Sequence, residues 1–426
     1  MKEELLSYIW RYRLWGTQPL TTTDHQSIEI IDVGTLNRDA GPDYFNAKIR
    51  INGTTWAGNV EIHVNSSDWY HHHHDTDAGY NSVILHVVGD ADIEVRTQKG
   101  DTLPQLVLPI DERYLKLAEQ LSKSDQEIAC THYWDNNCKS RLKMSLNTLI
   151  CERLERKVKE IGSILLSNKN DWEETFYQTL AKSFGMKVNE EPFAQLAHSL
   201  PQIYLAKHKN NLQQIEAMLM GQAGLLDNLK ITDLYTDQLI AEYKFLKQKF
   251  SLKTQDGSKW KFARMRPVNS PYVRLAEFAM LIHQSEHLFS RVVEEHDTKE
   301  LHKLFSFGTS DYWLTHYYPA VESAKSTKII GVTLRNSLFI NCIAPMVFAY
   351  GKHTDNENLK EWIFDLLEKI PAEHNRIITT WKELGVMPQS AYDTQALLEQ
   401  RKEYCDKKNC LRCSVGYQIF KENGGK

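Results

Sequence analysis

The residue types best suited to chemistry stand early in the chain. They are Gly41-Pro42-Asp43, the run Val60-Glu61-Ile62-His63-Val64, and the run His71-His72-His73-His74-Asp75-Thr76-Asp77. Together they gather carboxylate oxygens and imidazole nitrogens, the hard and borderline donors that a divalent metal ion takes. Asp43 and Glu61 could hold Mg²⁺ or Mn²⁺ and leave positions for water and a phosphate oxygen. His63 could then orient or deprotonate that water. His72, His74 and Asp77 are further ligand candidates, and that trio alone would suit a Zn²⁺ hydrolase. Each reading has a plainer rival: Glu61 and His63 as solvent-facing strand residues, the histidine run as a polar loop, and His86, inside an apolar run, as a hydrogen-bonded core residue.

These side chains need elements to position them. Residues 3–14 pattern as a short amphipathic helix that stops at Gly16. Residues 28–33 are β-branched and strand-like. Phe45, Ala47, Ile49 and Ile51 alternate with Asn46, Lys48 and Arg50, the pattern of a half-buried strand, and Asn52-Gly53 turns it back. The return strand carries Val60, Ile62 and Val64 on one face and Asn59, Glu61 and His63 on the other. Glu61 and His63 are therefore neighbours on one face, about 7 Å apart at Cα. The hairpin brings Asp43, at the start of the partner strand, close to Glu61. Residues 83–88 read as a buried central strand, and 92–97 and 105–110 as the last strands. This order predicts an α+β domain with a mixed sheet over 1–112, followed by a linker over 113–139.

From residue 141 the apolar spacing turns helical, predicting a large all-α domain over 140–400. Asn stands shortly before Pro at Asn189/Pro192, Asn269/Pro271 and Asn341/Pro345, which suggests a divergent helical repeat with each pair opening a helix. Arg264, Arg266 and Arg274 follow an aromatic-basic stretch and, with Lys48, are candidates for a substrate phosphate; salt bridging to acidic helices is their ordinary use. The tail, 401–426, is expected to pack on the body. Its Cys405, Cys410 and Cys413 offer three ligands for Zn²⁺ or an iron–sulfur cluster, and Cys130 or Cys138 could supply the fourth, Cys130 being the choice carried forward.

Composition sets the frame. The 426 residues are 42% hydrophobic and 25% charged, ordinary for a globular protein. A formal charge of −4 argues against a strong non-specific nucleic-acid binder, so any nucleic-acid partner would have to meet local patches. The N-terminus lacks the apolar core of a signal peptide. The apolar run 337–350 is interrupted by Asn341 and Pro345 and is too short for a bilayer. A cytoplasmic protein with no membrane partner and reduced cysteines is the expectation.

Pro42-Asp43 followed by Glu61-Ile62-His63 resembles the PD-(D/E)XK nuclease core, with His in place of the usual Lys. That resemblance implies a restriction-endonuclease-like fold and a metal-dependent phosphodiesterase with Asp43, Glu61 and His63 as catalytic residues. The whole chain also resembles an uncharacterised family of Bacteroidetes proteins classed as a domain of unknown function. The resemblance rests on Asn37-x3-Gly41-Pro42-Asp43, Trp56-x-Gly58-x-Val60-Glu61-Ile62-His63, Ser67-Asp68-Trp69, His72-x-His74-x2-Asp77-x2-Tyr80, Gly221-Gln222-Ala223-Gly224, Arg264-Met265-Arg266-Pro267-x-Asn269 and the cysteine tail. It implies no activity, and it favours His72, His74 and Asp77 over their neighbours. Two other functions stay open: a non-enzymatic nucleic-acid- or protein-binding helical scaffold with a degenerate N-terminal domain, and the His/Asp zinc hydrolase.

Overall fold

The structure is a computed structural model that describes residues 2–37, 39–227 and 229–423. The chain forms two compact units. The first comprises Met1–Asn147, Thr379–Val386 and Leu397–Lys426, and the second Thr148–Ile378 and Met387–Ala396.

The first unit is built on a mixed sheet. Its strands are β1 (Leu20–Thr21), β2 (Ser27–Asp32), β3 (Thr35–Leu36), β4 (Tyr44–Ile51), β5 (Thr54–Asn65), β6 (Val83–Asp90) and β7 (Gln105–Val107). They lie in the order β1-β2-β4-β5-β6-β7, with β3 paired to β4. The β2, β4 and β5 pairings are antiparallel, as the alternating pattern and the Asn52-Gly53 turn demand, and β6 joins β5 in parallel. Both turn residues have positive φ (46° and 83°), which Asn and Gly tolerate. Helix α1 (Glu3–Tyr12) buries Leu6, Ile9 and Trp10, each contributing roughly 1.5–3 kcal/mol of apolar burial. On the same side Tyr44, level with Val60, donates its hydroxyl to the Ser7 carbonyl at 2.9 Å.

Two details of this sheet position the candidate site. A bulge between Tyr44 and Ala47, with Asn46 at φ 57°, breaks the β4–β5 ladder next to Asp43. Gly58 lets β6 close on β5, since a Cβ there would lie 2.4 Å from Ile84 Cγ2 and 2.7 Å from the Ser82 carbonyl oxygen. Residues 92–97 differ from expectation. Instead of a strand they make one isolated bridge, Arg96 to Thr102, while Val95 turns inward to pack with Trp69, Val83 and Leu103. That small cluster supports the histidine run from below.

The segment expected as a linker is ordered structure of the first unit: helix α3 (Glu112–Lys123), capped by Asp111, and the start of helix α4 (Asn136–Ser167). The cysteine tail joins the same unit. Arg401 donates to Glu127 at 3.1 Å, and Lys408 donates to the Ser124 carbonyl.

The second unit is mostly helical but not all-α as expected, since His316–Tyr318 and Val321–Glu322 pair as a small antiparallel sheet. Phe184, Phe193 and Phe278 are among its buried rings. A fully buried carboxylate, Glu216, accepts from Tyr235, from Ser310 at 2.9 Å and from Trp313 at 3.3 Å, and burial pushes it up to about 7. The three Asn/Pro pairs occupy unlike places. Pro271 opens the helix Pro271–Gln284. Pro192 lies inside the helix Met186–Ser199, beyond a kink at Asn189, and Pro345 lies inside a continuous helical run. That run, Val332–His353, is long and apolar enough to cross a membrane, and 67% of its most apolar window is buried in the protein. It passes through Asn341 and Pro345 because the stretch Phe339–Ile343 widens to a π-turn, which accommodates the missing proline N–H.

Candidate metal centre

Parallel pairing of β5 with β6 sets Glu61 level with His86 and His63 level with Val88, so Glu61, His63 and His86 share one face of the sheet. After β5 the short helix α2 (Asp68–His71) buries Trp69, and His73 then adopts a left-handed conformation (φ 62°). That turn folds the histidine run back over the strand. His74 becomes buried and stacks on Tyr80 with ring centroids 3.7 Å apart, while His72 stays exposed.

The donor atoms converge. His63 Nε2 lies 3.0 Å from His72 Nδ1 and 3.6 Å from Glu61 Oε1, and His74 Nε2 lies 3.3 Å from the same carboxylate oxygen. The ligand atoms of His63, His72 and His74 fall within 4.8 Å of one another. Neighbouring donors around an ion with bonds of 2.0–2.1 Å stand about 3.3 Å apart if tetrahedral and about 2.9 Å if octahedral. The three imidazoles could hold a metal ion, and the contacts of His63 with His72 and of Glu61 with His74 and His63, at 3.0, 3.3 and 3.6 Å, lie near that spacing.

Asp43 takes a different place. Its backbone N–H donates to Glu61 Oε2 at 3.0 Å, and its Oδ2 accepts from the Ile62 N–H at 3.0 Å. The hairpin therefore brings the Asp43 backbone to the Glu61 carboxylate and fixes its orientation, while the Asp43 carboxylate is held by the Ile62 N–H, with Glu3 and His74 among the charged or titratable groups near it.

A chain of ring nitrogens runs inward from the centre. His63 Nδ1 lies 2.8 Å from His86 Nε2, and the far nitrogen of His86, Nδ1, is buried with no hydrogen-bond partner. Two tautomer sets satisfy the chain. In one, His86 donates to His63, which donates to His72. In the other, His63 carries its proton on Nδ1 and donates to His86, which frees Nε2 of His63 as a metal ligand.

The electrostatics fit such an ion. Burial above all pushes Glu61 up to about 8; burial and then the neighbouring Glu61 push Asp43 up to about 7. Burial also holds His63 down to about 3, helped by His86, His72 and His74, and lowers His74 and His86 as well. The close Glu61–His63 and Glu61–His74 contacts thus join groups that are each driven toward neutrality, not charged partners. A divalent cation would reverse this for the carboxylates and would accept the lone pairs of neutral imidazoles.

The remaining sequence candidates fall elsewhere. Asp77 is exposed and outside the donor group; its Oδ1 accepts the Gly79 N–H at 2.8 Å and caps the turn Ala78–Tyr80. Lys48 is exposed beyond the bulge, level with Ala57 rather than Glu61. Arg264 and Arg266 are exposed residues of the second unit. Arg274, in the same unit, is buried and binds Glu277 and Asn269, both at 2.5 Å, the ordinary salt-bridging use of such a residue. Tyr80 was visible in the sequence only as a motif position. His86 was legible as a bonded core histidine, and its partner, His63, required the strand register.

A family described as "Protein of unknown function (DUF2851)" matches residues 3–376, a span that holds the whole candidate centre and ends before the cysteine tail. No curated protein and no solved structure matches the chain.

Proposed function

For this chain, which belongs to the DUF2851 family, we propose a metal-dependent hydrolase whose ion is held by Glu61, His63, His72 and His74. The observation that carries the proposal is the set of donor spacings, 3.0, 3.3 and 3.6 Å, among one carboxylate and three imidazoles. Three nitrogen donors favour Mn²⁺ or Zn²⁺ over Mg²⁺, which prefers oxygen. Four protein ligands leave one position on a five-coordinate ion and two on a six-coordinate ion. The exposed edge at His72 is where water and substrate would enter. Asp43, tied to Glu61 and the Ile62 N–H, is the candidate base for that water.

A phosphodiester is the proposed substrate class. Support comes from the placement of Asp43 at the head of one strand and Glu61 within the next, preceded by a helix and followed by a parallel strand, the arrangement that prompted the nuclease comparison. The departure at His63 is then functional: a buried, neutral imidazole supplies a ligand where a lysine would supply charge.

The test is metal analysis of the purified protein, titration with Mn²⁺ and Zn²⁺, and hydrolysis of an activated aryl phosphodiester. Tight binding of one ion and turnover, both lost in Glu61→Gln and His74→Ala, are expected. Absence of binding, or binding unaffected by both substitutions, refutes the centre. Binding without turnover of any phosphodiester refutes the hydrolase and leaves a metal-stabilised scaffold.

A further inference from the structure

In the first unit the C-terminal helix Ser414–Asn423 packs with α1 and α3, and a cavity of about 370 Å³ opens between these helices and the turn that carries Lys408 and Leu411. Its frame is pinned at several points. Arg412 Nε donates to Glu4 Oε1 at 2.9 Å, tying the tail to α1, and Lys408 donates to the Ser124 and Gln126 carbonyls just beyond α3. The Phe420 ring packs against Tyr8 of α1 and Tyr114 of α3, with centroids 5.1 and 6.2 Å away. The sequence of α3 helps to leave the space open. Ala118 and Ser122, four residues apart and so on one helix face, both line the cavity with small side chains.

The lining sorts by depth. Leu5, Leu121 and Phe420 are buried, and Leu115, Ala118 and Leu411 are half-buried. The charged groups stand at the rim, where Lys2 and Lys123 are exposed and Lys408 is half-buried. Two carboxylates share that rim and are already matched, Glu4 by Arg412 and Glu119 by Lys123 at 2.6 Å. Lys408 is turned to neutral carbonyl oxygens, which leave its charge uncancelled. An apolar floor beneath a rim of net positive charge complements a molecule with an apolar body and an anionic head.

Size and shape narrow the class further. The volume lies at the small end of the range for small-molecule sites. Phe420 is the only ring in the lining, and Tyr8 and Tyr114 already pack against it, Tyr114 within 11° of parallel. The other apolar lining groups are aliphatic, which favours a flexible chain over a flat aromatic ligand.

We propose that this cavity binds a single-chain anionic amphiphile, an aliphatic carboxylate or an alkyl phosphate, with its chain over Leu5, Leu121 and Leu411 and its head at Lys2 and Lys408.

The experiment is calorimetric titration of the full chain with hexanoate, octanoate and decanoate, and with decyl phosphate, each below the concentration at which it forms micelles. Saturable binding of one molecule per chain is expected, tightening about fourfold per added CH₂ until the cavity is filled. The decanoate and decyl phosphate arms decide which head group the lysines prefer. Ala118→Trp and Ser122→Phe, which fill the space, are expected to abolish binding while the unfolding temperature stays near that of the wild type. Lys2→Glu is expected to weaken binding about fivefold at low salt and less at high salt. Glu61→Gln is expected to bind as the wild type does, which separates this site from the metal centre. No saturable binding of either anion, binding unchanged in both filled variants, or equal binding of decyltrimethylammonium overturns the proposal.

Discussion

Replacing His86 with phenylalanine isolates the contribution of the inner ring to the metal centre. His86 is fully buried, and its Nε2 lies 2.8 Å from His63 Nδ1. Phenylalanine keeps a planar ring and removes the acceptor that holds His63 in the tautomer with Nε2 free. Loss of such a partner to a ligating histidine costs 10- to 100-fold in metal affinity, or about 1.4–2.7 kcal/mol. Stability of the metal-free fold should move much less. An unpaired His63 Nδ1 costs about 1–3 kcal/mol, but the substitution also deletes the partnerless Nδ1 of His86 and adds apolar contact, so the two effects largely cancel. The assay is competition for Mn²⁺ or Zn²⁺ against a chromophoric chelator, paired with thermal unfolding of the metal-free protein. His86→Gln, which restores an acceptor, should recover part of the lost affinity. An unchanged affinity in His86→Phe at an unchanged unfolding temperature would refute the tautomer argument.

Other perturbations separate the parts of the structure. Asp77→Ala should leave metal affinity within about twofold and cost about 1 kcal/mol through the lost cap, measured by titration and denaturant unfolding; a large drop in affinity would restore Asp77 as a ligand. Gly58→Val should destabilise the first unit by at least about 2 kcal/mol, because the new side chain meets Ile84 and the Ser82 carbonyl; unfolding in urea checks this. Glu216, raised from 4.5 to about 7, predicts a pH signature. Below pH 4.5 the carboxyl is neutral in both states; as pH rises the unfolded chain ionises first, so stability falls until about pH 7 and then levels. The difference between wild type and Glu216→Gln should therefore change by about 3 kcal/mol across that window, whatever its constant offset.

Local order was readable from the chain because its causes are local. A period of two placed Glu61 beside His63 on one strand face, Asn52-Gly53 made the turn, and that hairpin brought Asp43 to Glu61. Helical spacing beyond residue 141 followed from the same kind of short-range pattern. What those patterns lack is information about partners far along the chain. The extent of β7, the loss of a strand at 92–97 and the place of the 113–139 segment depended on what each stretch could bury, as Val95 against Trp69 illustrates.

The centre divides in the same way. The sequence determined which donors exist and that Glu61 and His63 stand together, since covalent spacing and the strand repeat leave no other choice. Only the tertiary structure decided that the left-handed turn at His73 carries His72 and His74 back to them, that parallel pairing sets His86 behind His63, and that Asp77 turns away to cap Gly79. These meetings are fixed by strand register and core packing, which are chosen by the whole fold at once and are not written in any one segment.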